Sequence, residues 1–300
     1  MQIRVKSRIT SFLLILAIYA LAFFIGLFVF NLFNNMYVFN NMHVLVSFFL
    51  ADIAATLVVW GFGILFANSS VYDPYWSVAP IVILAFWMIT KGISFTITDI
   101  LFLVAIIVWA VRLTLNWAIR WKGLNHQDWR YVMLKEKSPR LWFLTNLTGI
   151  NVMPTIIVFL ALIPAYFGIG SEGTVNNLTV IGFAICVGAV LIQSFADKQM
   201  DFFRKDKSYK NQCIDKGLWR YSRHPNYFGE VSFWWGIWLM QMGVIPQIWA
   251  TVIGPVVMTI LFLFISIPMM EKYILTSKSS YGSYQKQVSM FIPWFRTRQQ

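Results

Sequence analysis

Residues 11–31 read SFLLILAIYALAFFIGLFVFN, a run without a single charged side chain. A helix rises about 1.5 Å per residue, so about 20 apolar residues span the hydrocarbon core of a bilayer. Seven comparable runs follow at about 44–66, 75–90, 98–119, 152–169, 178–197, 226–243 and 247–268. We read the chain as all-α: a polytopic membrane helical bundle of about eight transmembrane helices. Composition agrees, with 58% apolar residues, 12% charged residues and a mean hydropathy of +0.65. A soluble domain carries about 25% charged residues. A soluble dinucleotide-binding enzyme, a disordered chain and a disulfide scaffold are therefore excluded. Arg4, Lys6 and Arg8 precede the first run as they would in a signal peptide. The run is long for one, and Asn31-Leu32-Phe33-Asn34 follows where small residues would mark cleavage, so we expect a retained helix.

The positions of the charges test this count. With the N-terminus in the cytoplasm, the inside segments are 1–10, 67–74, 120–151, 198–225 and 269–300, and they hold 22 of the 24 Lys and Arg. Lys91 falls at an outside helix end and Arg112 within a span. This is the positive-inside pattern, and a miscounted span would scramble it. The net charge of +12 is mainly a signal of topology, although eight cations crowd into 198–225. Both termini are expected to be cytoplasmic. The short run 75–90 and the Trp-rich run 226–243 are the two expected to bend toward a site.

Metal chemistry finds no support in the sequence. Only His43, His126 and His224 occur, without H-E-x-x-H or C-x-x-C. Gly168-Ile169-Gly170-Ser171-Glu172-Gly173 fits G-x-G-x-x-G, but it follows a membrane helix and has no βαβ unit around it; we read a turn.

Ionisable residues inside spans are costly and usually functional or paired. They are Asp52, Arg112, Asp197 and Glu230, with Asp73 and Asp99 near helix starts. Gln193, Asp197 and Asp201 are spaced i, i+4, i+8 and share one helix face, with Arg204 close to it. A solvated helix end is the plainer account of that face. Downstream, Pro225 suits the first turn of a helix, which places Asn226 and Glu230 on one face. Arg220, Arg223 and His224 stand just before that helix start, where backbone N–H groups and guanidinium groups attract phosphate. Headgroup anchoring accounts for Trp219 and Tyr221, but not for a carboxylate one turn inside the membrane.

The segment Gly217 to Glu230, followed by Trp234-Trp235-Gly236, resembles the bacterial membrane-protein family grouped with the steroid 5-alpha-reductases. Asp73-Pro74-Tyr75-Trp76, Trp109 to Leu113, Asp128-Trp129-Arg130-Tyr131, Glu271-Lys272 and Tyr281 to Tyr284 extend the likeness over about 70–293. The Arg-His-Pro-x-Tyr core is also similar to isoprenylcysteine carboxyl methyltransferases of the same superfamily. The resemblance implies a reductase of a carbon–carbon double bond conjugated to a carbonyl, in a bacterial plasma membrane, with NADP(H) held in a cytoplasm-facing cavity. It implies cofactor-binding roles for Gln193, Asp197, Arg204, Arg220, Arg223, His224, Asn226, Tyr227 and Glu230. It matches Tyr72 and Asp73 to the Gln-Glu pair at the substrate-side helix start, and Trp109 to a Tyr of the substrate cavity. The Arg and Tyr that hold the cofactor from the family's last helix find no match near Ile267 or Leu275.

Hydride addition to an enone builds negative charge on the carbonyl oxygen, and a donor there lowers the barrier. A partly buried carboxyl such as Asp73 can stay protonated and act as that donor, with Tyr72 beside it. We expect residues 1–43 to be an extra transmembrane helix with an outside loop, and 44–300 a reductase-like membrane domain with a cytoplasmic cofactor loop at 198–225. The expected partners are membrane lipids and a small lipid-like substrate, steroid- or isoprenoid-like, and no nucleic acid. The alternatives are an S-adenosylmethionine-dependent methyltransferase of the isoprenylcysteine type and a non-catalytic membrane protein or transporter.

Overall fold

The computed structural model describes residues 7–34, 42–92, 95–209 and 212–297. Arg4, Lys6 and Lys210 lie outside them, as do the side chains of His43 and Lys207. Among the described residues there is no strand. The helices are α1 (Arg8–Asn34), α2 (Met42–Leu65), α3 (Tyr75–Lys91), α4 (Ile97–Arg120), α5 (Trp129–Lys137) and α6 (Trp142–Thr145). They continue with α7 (Met153–Gly168), α8 (Asn177–Lys205), α9 (Pro225–Val244), α10 (Ile253–Ile260), α11 (Ile267–Ser277) and α12 (Tyr281–Gln287).

Among the described residues, seven stretches are long and apolar enough to cross a membrane: Arg8–Asn34, Val44–Leu65, Ser69–Lys91, Ile97–Arg120, Pro139–Gly168, Asn177–Lys205 and Pro246–Ser277. The chain is a multi-pass membrane protein. The remaining expected span is α9, an uninterrupted helix of 20 residues that Asn226, Glu230 and Gln241 make less apolar than the other seven. The irregular turns fall elsewhere. Asn146–Val152 and Leu261–Ser266 wind as π-helix, and each leads into a proline, Pro154 and Pro268. A proline has no N–H and crowds the carbonyl four residues back, so the widened turn relieves it. In the first stretch the Asn151 side chain donates to the Asn146 carbonyl at 2.8 Å, which ties the wide turn.

The chain divides into two units, Met1–Trp87 with Ala110–Phe159, and Met88–Trp109 with Leu160–Gln300. In the first unit α1 packs on α2 and is no appendage. Its buried residues Ser11, Ile15, Ile18, Ala22, Gly26 and Phe30 recur at helical spacing, while Leu13, Phe24 and Phe28 stay exposed. Small residues let the two backbones approach: a Cβ on Gly26 would stand 3.2 Å from the Ala51 carbonyl oxygen. The connection from α2 to α3 is fixed by Asn68, whose amide donates to the carbonyls of Leu124 at 2.7 Å and His126 at 3.2 Å.

In the second unit α8 and α9 lie in close contact. Gly229, Gly236 and Gly243 recur every seven residues along one face of α9. A Cβ on each would strike α8: Ala189 O at 2.8 Å, Gly182 O at 2.8 Å and Thr179 N at 2.7 Å. The turn at 168–173 leaves α7 with Gly170 at φ 72° and its N–H on Asp99 Oδ1 at 2.7 Å.

Candidate active site

The site residues fall into three clusters, one in the first unit and two in the second. In the first unit, the Tyr131 hydroxyl donates to Asp73 Oδ1 at 2.5 Å. Tyr131 sits on α5, whose N-cap Asp128 accepts from the Arg130 N–H and guanidinium. Burial pushes the Asp128 carboxyl up, but Arg130 beside it outweighs this and holds it below its ordinary value. The Asp128 N–H donates to Ser70 Oγ at 3.0 Å, which joins α5 to the turn before Asp73. Tyr72, expected as the partner of Asp73, turns away: its hydroxyl lies 2.7 Å from Thr155 Oγ1. The phenol on Asp73 is Tyr131, which sequence reading had placed only within a motif.

The second cluster surrounds Glu230. Its carboxylate is buried, and three N–H groups converge on it. Trp109 Nε1 lies 3.0 and 3.1 Å from the two oxygens, Trp234 Nε1 lies 3.1 Å from Oε1, and Gln193 Nε2 lies 3.1 Å from Oε2. Trp234 is one turn beyond Glu230 on α9, so that contact is local. Gln193 is fully buried and Asp197 nearly so, while Asp201 is half-buried and Arg204 exposed. The face at i, i+4, i+8 therefore runs from core to surface, and for Gln193 and Asp197 the solvated reading is overturned. Asn226 is half-buried, and its amide has no hydrogen bond among the described residues.

The third cluster centres on Glu271, which the sequence reading left without a role. Arg223 Nε donates to Oε1 at 2.6 Å, His224 Nε2 lies 3.1 Å from Oε1, the Tyr281 hydroxyl donates at 3.0 Å and Gln285 Nε2 donates to Oε2 at 2.7 Å. Arg223 Nη1 also donates to the carbonyls of Gln285 at 2.9 Å and Val288 at 2.6 Å. Burial holds the His224 imidazole below its ordinary value, and the neighbouring Glu271 offsets this only in part. These contacts make Arg223 and His224 ties to the C-terminal segment, a role different from the phosphate contact expected of them. His224 occupies the N-cap position of α9, its ring stacks on Tyr227 at 5.4 Å, and the exposed cations among the described residues of 198–225 are Lys198, Arg204, Lys205, Lys216 and Arg220.

Arg220 is held by its neighbours. Leu218 N donates to Gln199 Oε1 at 2.9 Å, and Trp219 Nε1 donates to the Ala196 carbonyl at 3.1 Å, so 217–220 lies along the end of α8. Gly217 begins this turn at φ 60°, and a Cβ there would stand 2.5 Å from the Gln199 side-chain amide. Gly217→Ala is expected to destabilise the protein by about 1–3 kcal/mol, from left-handed strain and the displaced Gln199 bond. Thermal unfolding of the purified variant checks this; an unchanged midpoint would mean the turn tolerates a side chain.

A family model described as "protein of unknown function (DUF1295)" matches residues 59–288, more than half of the chain. The chain belongs to the DUF1295 family. The DUF1295 match takes in Asp73, Tyr131, Gln193, Glu230 and Glu271, and leaves out α1 and the first part of α2. A relative in Schizosaccharomyces pombe, the uncharacterized protein C594.04c, is 24% identical over 223 residues, covering 65% of this chain and 62% of that protein. The chain thus spans less than two thirds of the length of this relative. No solved structure matches it.

Proposed function

We propose that this DUF1295 chain is a membrane NADPH-dependent reductase of a carbon–carbon double bond conjugated to a carbonyl, acting on a lipid-like substrate. The observation that carries the reading is the Gln193–Glu230 hydrogen bond at 3.1 Å. Each residue resembles a different motif of the steroid 5-alpha-reductases, and the two motifs meet on α8 and α9. Tested against the residues present, a dinucleotide fits in part. Arg204, Lys205, Lys216 and Arg220 are exposed cations suited to its phosphates, and the Asn226 amide can both donate to and accept from a carboxamide. Glu230 fits as the residue that orients Gln193, and Arg223 and His224 as supports of the α9 start. The cofactor, when bound, supplies the hydride. Asp73, sharing a proton with Tyr131, is the group assigned to the substrate carbonyl oxygen. The same reading puts both termini in the cytoplasm.

Thermal unfolding of the detergent-purified protein with NADPH, NADH or S-adenosylmethionine tests this. A ligand present at 100 times its Kd stabilises by about 2.7 kcal/mol. NADPH should stabilise most. Equal effects of NADPH and NADH would remove the 2′-phosphate contact, and an effect of S-adenosylmethionine alone would replace the reductase by a methyltransferase. Asn226→Ala should weaken NADPH binding by about 0.5–1.5 kcal/mol, the worth of one hydrogen bond, with the protein still folded.

A further inference from the structure

The first unit contains a cavity between α1, α2 and α3, outside the clusters described above. It follows directly from residue size. Ala22 and Gly26 on α1 face Ala51 and Ala55 on α2, and Ala79 is the small residue on the α3 side. The enclosed part is about 100 Å³, and it continues into a groove open to the outer surface. At its mouth Phe23 and Val82 are 39% and 37% exposed, so the opening is on the apolar outer surface of the unit.

One wall carries a charge-bearing group. Asp52 belongs to the lining and is itself 7% exposed. Its Oδ1 accepts the Tyr75 hydroxyl at 2.7 Å, and Tyr75 lines the same cavity. The Tyr19 hydroxyl, also at the cavity, is committed to the Val71 carbonyl at 2.8 Å. Oδ2 of Asp52 has no partner among the described residues and is not sealed from the cavity. A carboxyl facing an apolar space with an oxygen to spare is costly without a partner. Tyr75 already uses its proton on Asp52, so an ionised Oδ2 needs a donor from its partner and a protonated one needs an acceptor. A hydroxyl suits either protonation state of the carboxyl, since it both donates and accepts. An enone carbonyl offers only an acceptor.

We propose that this cavity is a binding site for a lipid alcohol, an apolar body with one terminal hydroxyl. The molecule enters from the bilayer between Phe23 and Val82, and its hydroxyl hydrogen-bonds to Asp52. Its α1 wall and Asp52 lie outside the residues of the family match, its α3 wall lies inside them, and the site requires no nucleotide.

The test uses the full-length protein in phosphatidylcholine nanodiscs, with farnesol and farnesyl methyl ether as probes at equal mole fractions of the lipid. The ether keeps the apolar body and loses the donor. Farnesol should raise the unfolding temperature and bind about tenfold more tightly than the ether, as expected for one hydrogen bond to a buried carboxyl. Asp52→Leu, close in volume, should erase the difference. Ala79→Phe, which fills the cavity and leaves Asp52 in place, should erase it too, and serves if the Asp52 variant does not fold. Equal stabilisation by alcohol and ether in the wild type would overturn the proposal, as would no effect of either. A preference for farnesol that survives in a folded Asp52→Leu or Ala79→Phe protein would overturn it as well. Nucleotide titrations play no part in these outcomes, so failure here leaves the reductase reading intact.

Discussion

Glu230→Ala is expected to cost the protein more than about 3 kcal/mol of stability. Removing the carboxylate strands the N–H groups of Trp109, Trp234 and Gln193 in a buried site, where Trp109, Trp234 and Gln193 are fully enclosed. A buried donor that loses its partner costs about 1–3 kcal/mol, and three of them share this acceptor. The methylenes lost with the side chain add a cavity term. Glu230→Gln keeps the volume and one acceptor oxygen but turns an N–H group toward other N–H groups, so it should fall between wild type and alanine. Heat inactivation in detergent, followed as residual folded protein, ranks the three. If alanine unfolds with the wild type, the carboxylate is incidental to the fold and Glu230 is free to serve a ligand directly. For this reason Asn226, and not Glu230, is the residue to probe for cofactor affinity.

On the proposed function, Asp73→Asn should lower kcat by roughly 10²–10³, the effect of losing one donor at a developing oxyanion, with NADPH affinity nearly unchanged. The structure sharpens this test. Asp before Pro is a common helix start, yet α3 begins at Tyr75 and the Asp73 carboxylate instead accepts from Tyr131 on α5. Capping is therefore removed as the competing account. The remaining one is that Asp73 only anchors Tyr131, and an asparagine oxygen can accept that hydroxyl equally well. Turnover of any reducible enone separates the two. A full-speed Asp73→Asn enzyme would leave Asp73 as an anchor, and Tyr131→Phe would then matter only through stability.

The spans and the α8 polar face were legible because they are periodic within one helix. Gln193, Asp197 and Asp201 share a face by spacing alone, and their order from core to surface follows from where α8 leaves the apolar run. Trp234 beside Glu230 was equally legible at i, i+4, as was the seven-residue spacing of Gly229, Gly236 and Gly243; neither was read. Trp109 meets Glu230 across 121 residues and Glu271 meets His224 across 47, and no local pattern encodes such distances. Tyr72 was misread as the partner of Asp73 because adjacency in sequence stood in for adjacency in space. Neighbouring side chains near a helix start diverge, and Tyr72 points to Thr155 on α7.

The C-terminal ties have a consequence for how the chain is made. Arg223 N donates to the Ser289 carbonyl, the Ser222 hydroxyl to the Phe291 carbonyl and Trp294 N to the Tyr221 carbonyl. A polypeptide emerges from its N-terminus onward, so α9 can insert beside α8 well before these partners exist. Until residue 294 has been synthesised, the 221–224 segment at the start of α9 lacks the strand of backbone that holds it. Its assembly is therefore a late event of biogenesis, and a nascent chain stalled before residue 271, which lacks the side-chain partner Glu271 as well, should carry this segment open to protease while α8 and α9 are already paired.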